Sequence, residues 1–299
     1  MFIRRMPRFE YHTPTSLAEA VALLTEHRER AKVFAGGTDL FVAMKKRESV
    51  PEHLINLKGI EGLKGIDVDE AEGIKIGGLT PMGDLERSKI VSEKLSILGD
   101  AFNVIASPQI RNLGTIGGNL CSAVPSADTA PPLIALGASV ELSGPNGDRK
   151  VLVEDFFKGP GESVLGPDEI LTQILIPTPL ENSAGAYMKM MRRNAMDLAL
   201  VGVAARLRLD DDGKVCREAR IALGAVAPTP IRARGAEETL IDKVIDESLA
   251  GEAGRIASQE ASPISDVRAS REYRMEMIGV LTKRAVMAAC GRIYGNANR

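Results

Sequence analysis

The sequence predicts an α+β protein: a small α/β unit, then a larger part built on a mixed or antiparallel sheet, then a separate domain of antiparallel strands and helices. Three observations point there. Strand-like and helix-like stretches alternate over the first sixty residues. The prolines Pro177 and Pro179 punctuate the chain and place a boundary near Leu180. Beyond it, strand patterns joined by a tight turn give way to helical ones. A length of 299 residues suits two domains of ordinary size. We therefore divide the chain into residues 1–180, with parts 1–58 and 59–180, and residues 181–299.

The elements follow in order. Ser16-Leu17-Ala18-Glu19 has the Ser-x-x-Glu form in which a hydroxyl caps the first free amides of a helix. Leu17, Ala20, Val21 and Leu24 then recur at helical spacing, so a helix is predicted over residues 16–27. Lys32-Val33-Phe34-Ala35 reads as a short buried strand, and residues 53–57 as another. Ile74-Lys75-Ile76 alternates as a strand, with helices expected over residues 82–88 and 93–106. Residues 107–127 are rich in Gly, Pro, Asn and Ser and read as one long loop, a type often functional in compact domains. A helix over 132–138 and strands over 139–142, 150–153 and 170–176 complete the first domain. In the second, strands are predicted over 185–191, 200–209 and 215–225, the last two joined at Asp210-Asp211-Asp212-Gly213. Helices follow over 236–243, 244–259 and 270–292.

Composition narrows the function. Hydrophobic residues make 44% and charged residues 26%, with net charge −2, so nothing draws the chain electrostatically to nucleic acid. The longest uncharged stretches are broken by Gly, Pro, Asn and Ser, so no membrane span is predicted. Residues 1–7 lack the apolar run of a signal peptide, and a cytoplasmic location is expected. Cys121, Cys216 and Cys290 are the only cysteines and lie more than seventy residues apart. That spacing excludes a four-cysteine iron–sulfur or zinc site. His12, His27 and His53 show no short ligand spacing, so no metal site is predicted on this chain.

Two glycine segments stand out. Ala35-Gly36-Gly37-Thr38-Asp39 follows a strand, and paired glycines there let successive amides form a concave nest for phosphate oxygens. Gly114-Thr115-Ile116-Gly117-Gly118-Asn119 repeats the pairing inside the long loop. Two nests converging on one ligand suit a diphosphate between large groups, as in a dinucleotide. The phosphate-binding loop of ATPases is missing. Gly159-Pro160-Gly161 with Gly166 misses the Rossmann spacing.

The segment from Thr115 to Ser122, continuing through Pro125-Ser126-Ala127-Asp128-Thr129-Ala130-Pro131-Pro132, resembles the FAD-binding signature of the flavoprotein (medium) subunits of the molybdenum hydroxylases, the xanthine dehydrogenase and carbon monoxide dehydrogenase family. Ala35-Gly36-Gly37-Thr38-Asp39-Leu40 is similar to that family's first FAD loop. Ala195-Met196-Asp197-Leu198-Ala199, Gly224-Ala225-Val226-Ala227-Pro228-Thr229-Pro230 and Tyr273-Arg274 are similar to its C-terminal domain. The likeness covers almost the whole chain.

The resemblance implies that two α+β subdomains hold FAD between them and that the C-terminal domain carries a three-stranded antiparallel sheet with helices. It implies a first FAD loop of Lys32, Val33, Phe34, Ala35, Gly36, Gly37, Thr38 and Asp39, and a second of Gly114, Thr115, Ile116, Gly117, Gly118 and Asn119. Asp128 is implied to accept hydrogen bonds from cofactor hydroxyls; a helix N-cap is its other reading. Ile105, Ala106 and Leu171 are implied to contact the rings, or else are ordinary core. Lys189 is implied near the pyrimidine end of the flavin, and Tyr187 over the ring system. No catalytic acid or base is predicted. A large molybdenum-cofactor subunit and a small [2Fe-2S] subunit are the implied partners, with NAD as one implied acceptor. The alternatives are a self-sufficient flavin oxidase or reductase, and a non-catalytic FAD-binding scaffold.

Overall fold

The computed structural model describes residues 5–193 and 195–297; residues 1–4 of the segment read against a signal peptide lie outside that range. The first part is a parallel three-stranded sheet of β1 (Glu10–His12), β2 (Ala31–Phe34) and β3 (His53–Asn56), in the order β1-β3-β2. Helix α1 (Leu17–His27) lies against it and α2 (Leu40–Lys46) follows β2. The predicted cap is present: Ser16 Oγ accepts from the Glu19 amide, and the Glu19 carboxylate accepts from the Thr15 amide. Ala20, Val21 and Leu24 bury one stripe of α1 on Ala31, Ile55 and Leu57.

The second part is an antiparallel five-stranded sheet. Its strands are β4 (Ile66–Asp69), β5 (Gly73–Gly77), β6 (Ser139–Gly144), β7 (Gly147–Leu152) and β10 (Ile170–Ile176), ordered β4-β5-β10-β6-β7. The central place of β10 follows from its sequence, five apolar residues of seven with all but Gln173 buried, on both faces. A two-stranded ribbon, β8 (Phe157–Gly159) with β9 (Glu162–Ser163), precedes β10. Helices fill the connection from β5 to β6: α3 (Met82–Glu86), α4 (Lys89–Lys94), α5 (Ser96–Val104), α6 (Pro108–Arg111), α7 (Ile116–Cys121) and α8 (Ala130–Ala135).

Two expectations are corrected here. The single helix over 93–106 is two helices, because the chain turns at Leu95, which is buried while α5 presents Ile97, Leu98, Ala101 and Phe102 to the core. The long loop is also no loop throughout. Ser107 caps α6 with Pro108 at its first position, and Thr115 caps α7. Both are ordinary start signals, obscured because each helix is too short to show periodicity.

The last part is an antiparallel sheet of β11 (Ser183–Met190), β12 (Val201–Leu209) and β13 (Cys216–Gly224), extended by a two-residue edge strand, β14 (Ile231–Arg232). Helices α9 (Arg234–Leu240), α10 (Glu247–Glu260) and α11 (Arg271–Ala297) complete it. Alternation along β12 feeds two cores. Val203, Ala205 and Leu207 pack with residues of α9, α10 and α11, whereas Ala204 joins Tyr187 and Ala222 in the core of the five-stranded sheet. The contact is pinned at its edge by Arg292 of α11, which donates to both Asp100 carboxylate oxygens at 2.7 Å and to the Gly185 carbonyl at 2.6 Å. Arg274, fully buried, donates to the Leu200 carbonyl and to Asp266. Among the described residues no helix is long and apolar enough to cross a membrane.

Candidate functional site

A cleft of about 400 Å³ opens where the first part meets the second, a volume ordinary for a small-molecule site. One wall is the end of β2 and the turn after it: Lys32, Val33, Ala35, Gly36, Gly37, Thr38 and Asp39 all line it. Gly37 has φ +75°, a conformation a side chain would strain. The backbone amides of Gly37, Thr38 and Asp39 make no hydrogen bond within the described residues. Three consecutive unpaired N–H groups at a cleft wall form a concave donor set suited to an anion, and the Thr38 hydroxyl beside them is also unpaired.

The second glycine segment supplies the facing wall through Gly114, Thr115, Gly117, Gly118 and Asn119. The two segments touch. A Cβ on Gly36 would stand 2.3 Å from the Leu113 carbonyl oxygen and 2.9 Å from the Gly114 Cα. Ser122 Oγ, one residue past α7, donates to the Asp39 carboxylate at 2.9 Å.

The second segment is not the open bend its sequence suggests. Gly117 and Gly118 lie in the first turn of α7, neither at positive φ. Their amides are spoken for: Gly117 donates to the Gly78 carbonyl and Gly118 to Thr115 Oγ1, while Ile116 donates to Thr80 and Asn119 to Thr115. Gly114 donates to Ile110, leaving only the Thr115 amide of this segment without a partner. Gly117 is small because backbone crowds it, since a Cβ there would meet the Gly78 oxygen at 2.6 Å. Asn119 accepts at its side-chain oxygen from Thr129, which orients the amide and leaves its NH₂ for the cleft.

Of the remaining predicted residues, Leu171 lines the cleft with Leu57, Leu79, Met82, Leu165 and Ile170 as an apolar surface. Phe34, Ile105, Ala106, Ile116, Asp128, Tyr187 and Lys189 do not line it. Phe34 packs on Phe41 at 5.0 Å, with the Lys58 ammonium over its ring, and Ile116 is wholly buried. Ile105 is buried too. Its carbonyl takes a hydrogen bond from Arg111, whose guanidinium also grips Glu86 with two bonds of 2.8 Å. Ala106 follows at φ +46°.

Asp128, Tyr187 and Lys189 instead form one buried cluster. The Tyr187 hydroxyl donates to Asp128 at 2.7 Å, and Lys189 Nζ donates to the other Asp128 oxygen at 2.8 Å and to the Val104 carbonyl at 3.2 Å. The N-cap reading of Asp128 is therefore wrong: Thr129 occupies the cap position of α8 without a side-chain bond. Burial pushes the Asp128 carboxyl above its usual range, against the pull of Lys189 and Tyr187, and lifts the Tyr187 phenol well above its own. The cluster ties β11 to the segment before α8.

Sequence reasoning missed Gly78, Leu79, Met82, Ser122 and Glu169 in the cleft wall. For Gly78 a signal existed, because Gly77-Gly78 closes strand β5 in the same manner as Gly36-Gly37 follows β2. It also missed a convergence with no signature in spacing. His12, His27 and His53 come from three different elements, and one ring nitrogen of each lies within 4.8 Å of the others.

Comparisons with known proteins bear on the whole chain. Residues 7–179 match the family model described as the FAD binding domain in molybdopterin dehydrogenase, and residues 186–289 match the CO dehydrogenase flavoprotein C-terminal domain. The carbon monoxide dehydrogenase medium chain of Hydrogenophaga pseudoflava is 38% identical over 286 residues, 96% of this chain and 98% of that one. The xanthine dehydrogenase FAD-binding subunit of Escherichia coli O157:H7 is 36% identical over 288 residues, covering 95% and 98%. Among solved structures, the carbon monoxide dehydrogenase of Hydrogenophaga pseudoflava lacking the Mo-pyranopterin moiety of its cofactor superposes with a TM-score of 0.92 at 39% identity, covering 96% of this chain and 99% of that one. The quinoline 2-oxidoreductase of Pseudomonas putida 86 gives a TM-score of 0.90 at 31% identity, covering 97% and 99%.

Proposed function

Because the chain belongs to the family of FAD-binding flavoprotein subunits of the molybdenum hydroxylases, we propose that it relays electrons from iron–sulfur clusters on a small partner subunit, through its FAD, to an acceptor such as NAD. Substrate oxidation takes place on a large molybdenum-cofactor subunit, and the assembly is cytoplasmic. The chain divides near Leu180 into an FAD-binding domain and a flavoprotein C-terminal domain.

The observation that carries the reading is the row of unpaired amides at Gly37, Thr38 and Asp39, held at one wall of a cleft whose other wall is the second glycine segment. The donor set fits FAD. Backbone N–H groups, the Thr38 hydroxyl, the Thr115 amide and the Asn119 NH₂ would hold the diphosphate without a countercharge, and Leu57, Leu79, Ile170 and Leu171 would shelter the apolar rings. Bound FAD supplies chemistry that takes up electrons singly and gives them up singly or as a pair. The residues of this chain bind it, orient it and keep water from it. Lys189 acts on the flavin only through its pair with Asp128. Because the ammonium is neutralised at 2.8 Å, the cluster presents a dipole and not a full positive charge.

Purification tests the reading. The chain is expected to bind one FAD per molecule, and its flavin is expected to be reduced by an organic substrate only with the two partner subunits present. Mixing the reduced complex with NAD⁺ and following flavin reoxidation tests the acceptor. Flavin reduction by a small organic substrate in the isolated chain would favour a self-sufficient enzyme.

A further inference from the structure

We propose that His12, His27 and His53 form a binding site for one divalent transition-metal ion, zinc foremost, on the small parallel sheet outside the lining of the FAD cleft. The chain has three histidines in 299 residues, and the fold gathers all of them. His12 ends β1, His27 ends α1, and His53 begins β3, level with Glu10 in the parallel register. Imidazole nitrogen is a donor that suits zinc, copper and nickel, whereas magnesium and calcium take oxygen.

The ring nitrogens are already gathered to near the spacing of a coordination shell. His12 Nε2 and His53 Nδ1 stand 3.1 Å apart. Two nitrogens bound tetrahedrally to one zinc at ~2.0–2.1 Å are separated by about 3.3 Å, so a few tenths of an ångström converts the pair into ligands. The His27 and His53 rings stack at 3.7 Å with a 12° tilt, so one of them must swing out of the stack to aim its in-plane electron pair at a shared ion, and His27 Nδ1 is buried with no hydrogen-bond partner. The side chains of His27 and His53 are 12% and 11% exposed, so the cluster is largely shielded from water. The Glu10 carboxylate lies 3.3 Å from His53 Nδ1 and 4.0 Å from His12 Nε2. Reaching in from solvent, it offers a fourth ligand, with water as the alternative.

The site is distinct from the cleft. None of the three histidines lines it. A metal here would pin β1, α1 and β3 to one another, so occupancy is read as stability of the small sheet.

The test uses the full chain carrying its FAD, stripped of metal with a chelator and titrated with zinc chloride. Calorimetry is expected to show one equivalent bound with micromolar or tighter affinity. The melting temperature is expected to rise on the order of 5 °C at a hundredfold excess over Kd. Zinc-edge X-ray absorption is expected to show nitrogen and oxygen neighbours only. His12→Ala and His27→Ala, each shown folded by circular dichroism and by an unchanged FAD content, are expected to weaken binding at least tenfold. Failure to bind one equivalent, sulfur in the zinc shell, or wild-type affinity in both variants overturns the proposal.

Discussion

Residues 36–39 and 114–119 use the same vocabulary, paired glycines beside a threonine, yet their backbones do opposite things. After β2 the glycines sit in a turn, Gly37 at positive φ, and the amides of Gly37, Thr38 and Asp39 stay unpaired. In the second segment the glycines begin a helix, and the chain itself takes nearly every amide. In the first, glycine frees donors for a ligand. In the second it lets α7 sit directly on Gly78, and side chains rather than amides remain for the cleft. A glycine pair therefore reports close approach of something; only the bonding of the neighbouring N–H groups says whether that is ligand or protein.

Substitutions at the glycines test this division most severely. Gly36→Ala places a methyl against the Leu113 backbone, and overpacking of that kind costs about 1–3 kcal/mol. Because it parts the two walls, FAD affinity is expected to fall roughly ten- to a hundredfold in fluorescence titration of the FAD-free chain. Gly117→Ala meets the Gly78 carbonyl instead. There the same strain is expected as a melting temperature lower by about 5 °C before FAD is added.

The two threonines should sharpen the contrast. Thr115→Ala removes the cap of α7, a loss of ~1 kcal/mol that lowers the melting temperature of the FAD-free chain by about 3 °C, and Thr115→Ser restores it. Thr38→Ala breaks nothing within the protein. Its melting temperature is expected to stay unchanged while FAD binds roughly fivefold more weakly, the worth of one hydrogen bond. Identical outcomes for the two threonines would break the comparison.

The smallest effect expected concerns Cys121, the last residue of α7. Burial pushes its thiol up to about 12. Only the thiolate reacts, and it is scarce well below that value, so iodoacetamide labelling should be negligible at neutral pH and climb as the solution is made alkaline. Mass spectrometry of the labelled peptide checks this.

How much of this the sequence disclosed depended on range. Strands β5 and β10, helix α1 and the hairpin at Gly213 were legible because their cause is local: alternation, an apolar run, a cap, a turn residue. The two glycine segments were legible as a pair. Their difference was not, because it rests on which distant carbonyl each amide meets, Gly78 and Thr80 for α7 and none for the first turn. The bonds that Tyr187 and Lys189 make to Asp128 were not legible either, because 59 and 61 positions separate the partners. The histidines were invisible for the same reason, their spacing having no periodic form.

The clamp between Arg292 and Asp100 joins residues 192 positions apart, and that separation has a consequence in time. A ribosome adding roughly 5–20 residues per second needs about ten to forty seconds between the two. Helix α5 and strand β11 are made long before the guanidinium that locks them exists. Until α11 emerges, the seam between α5 and β11 lacks the clamp that closes it.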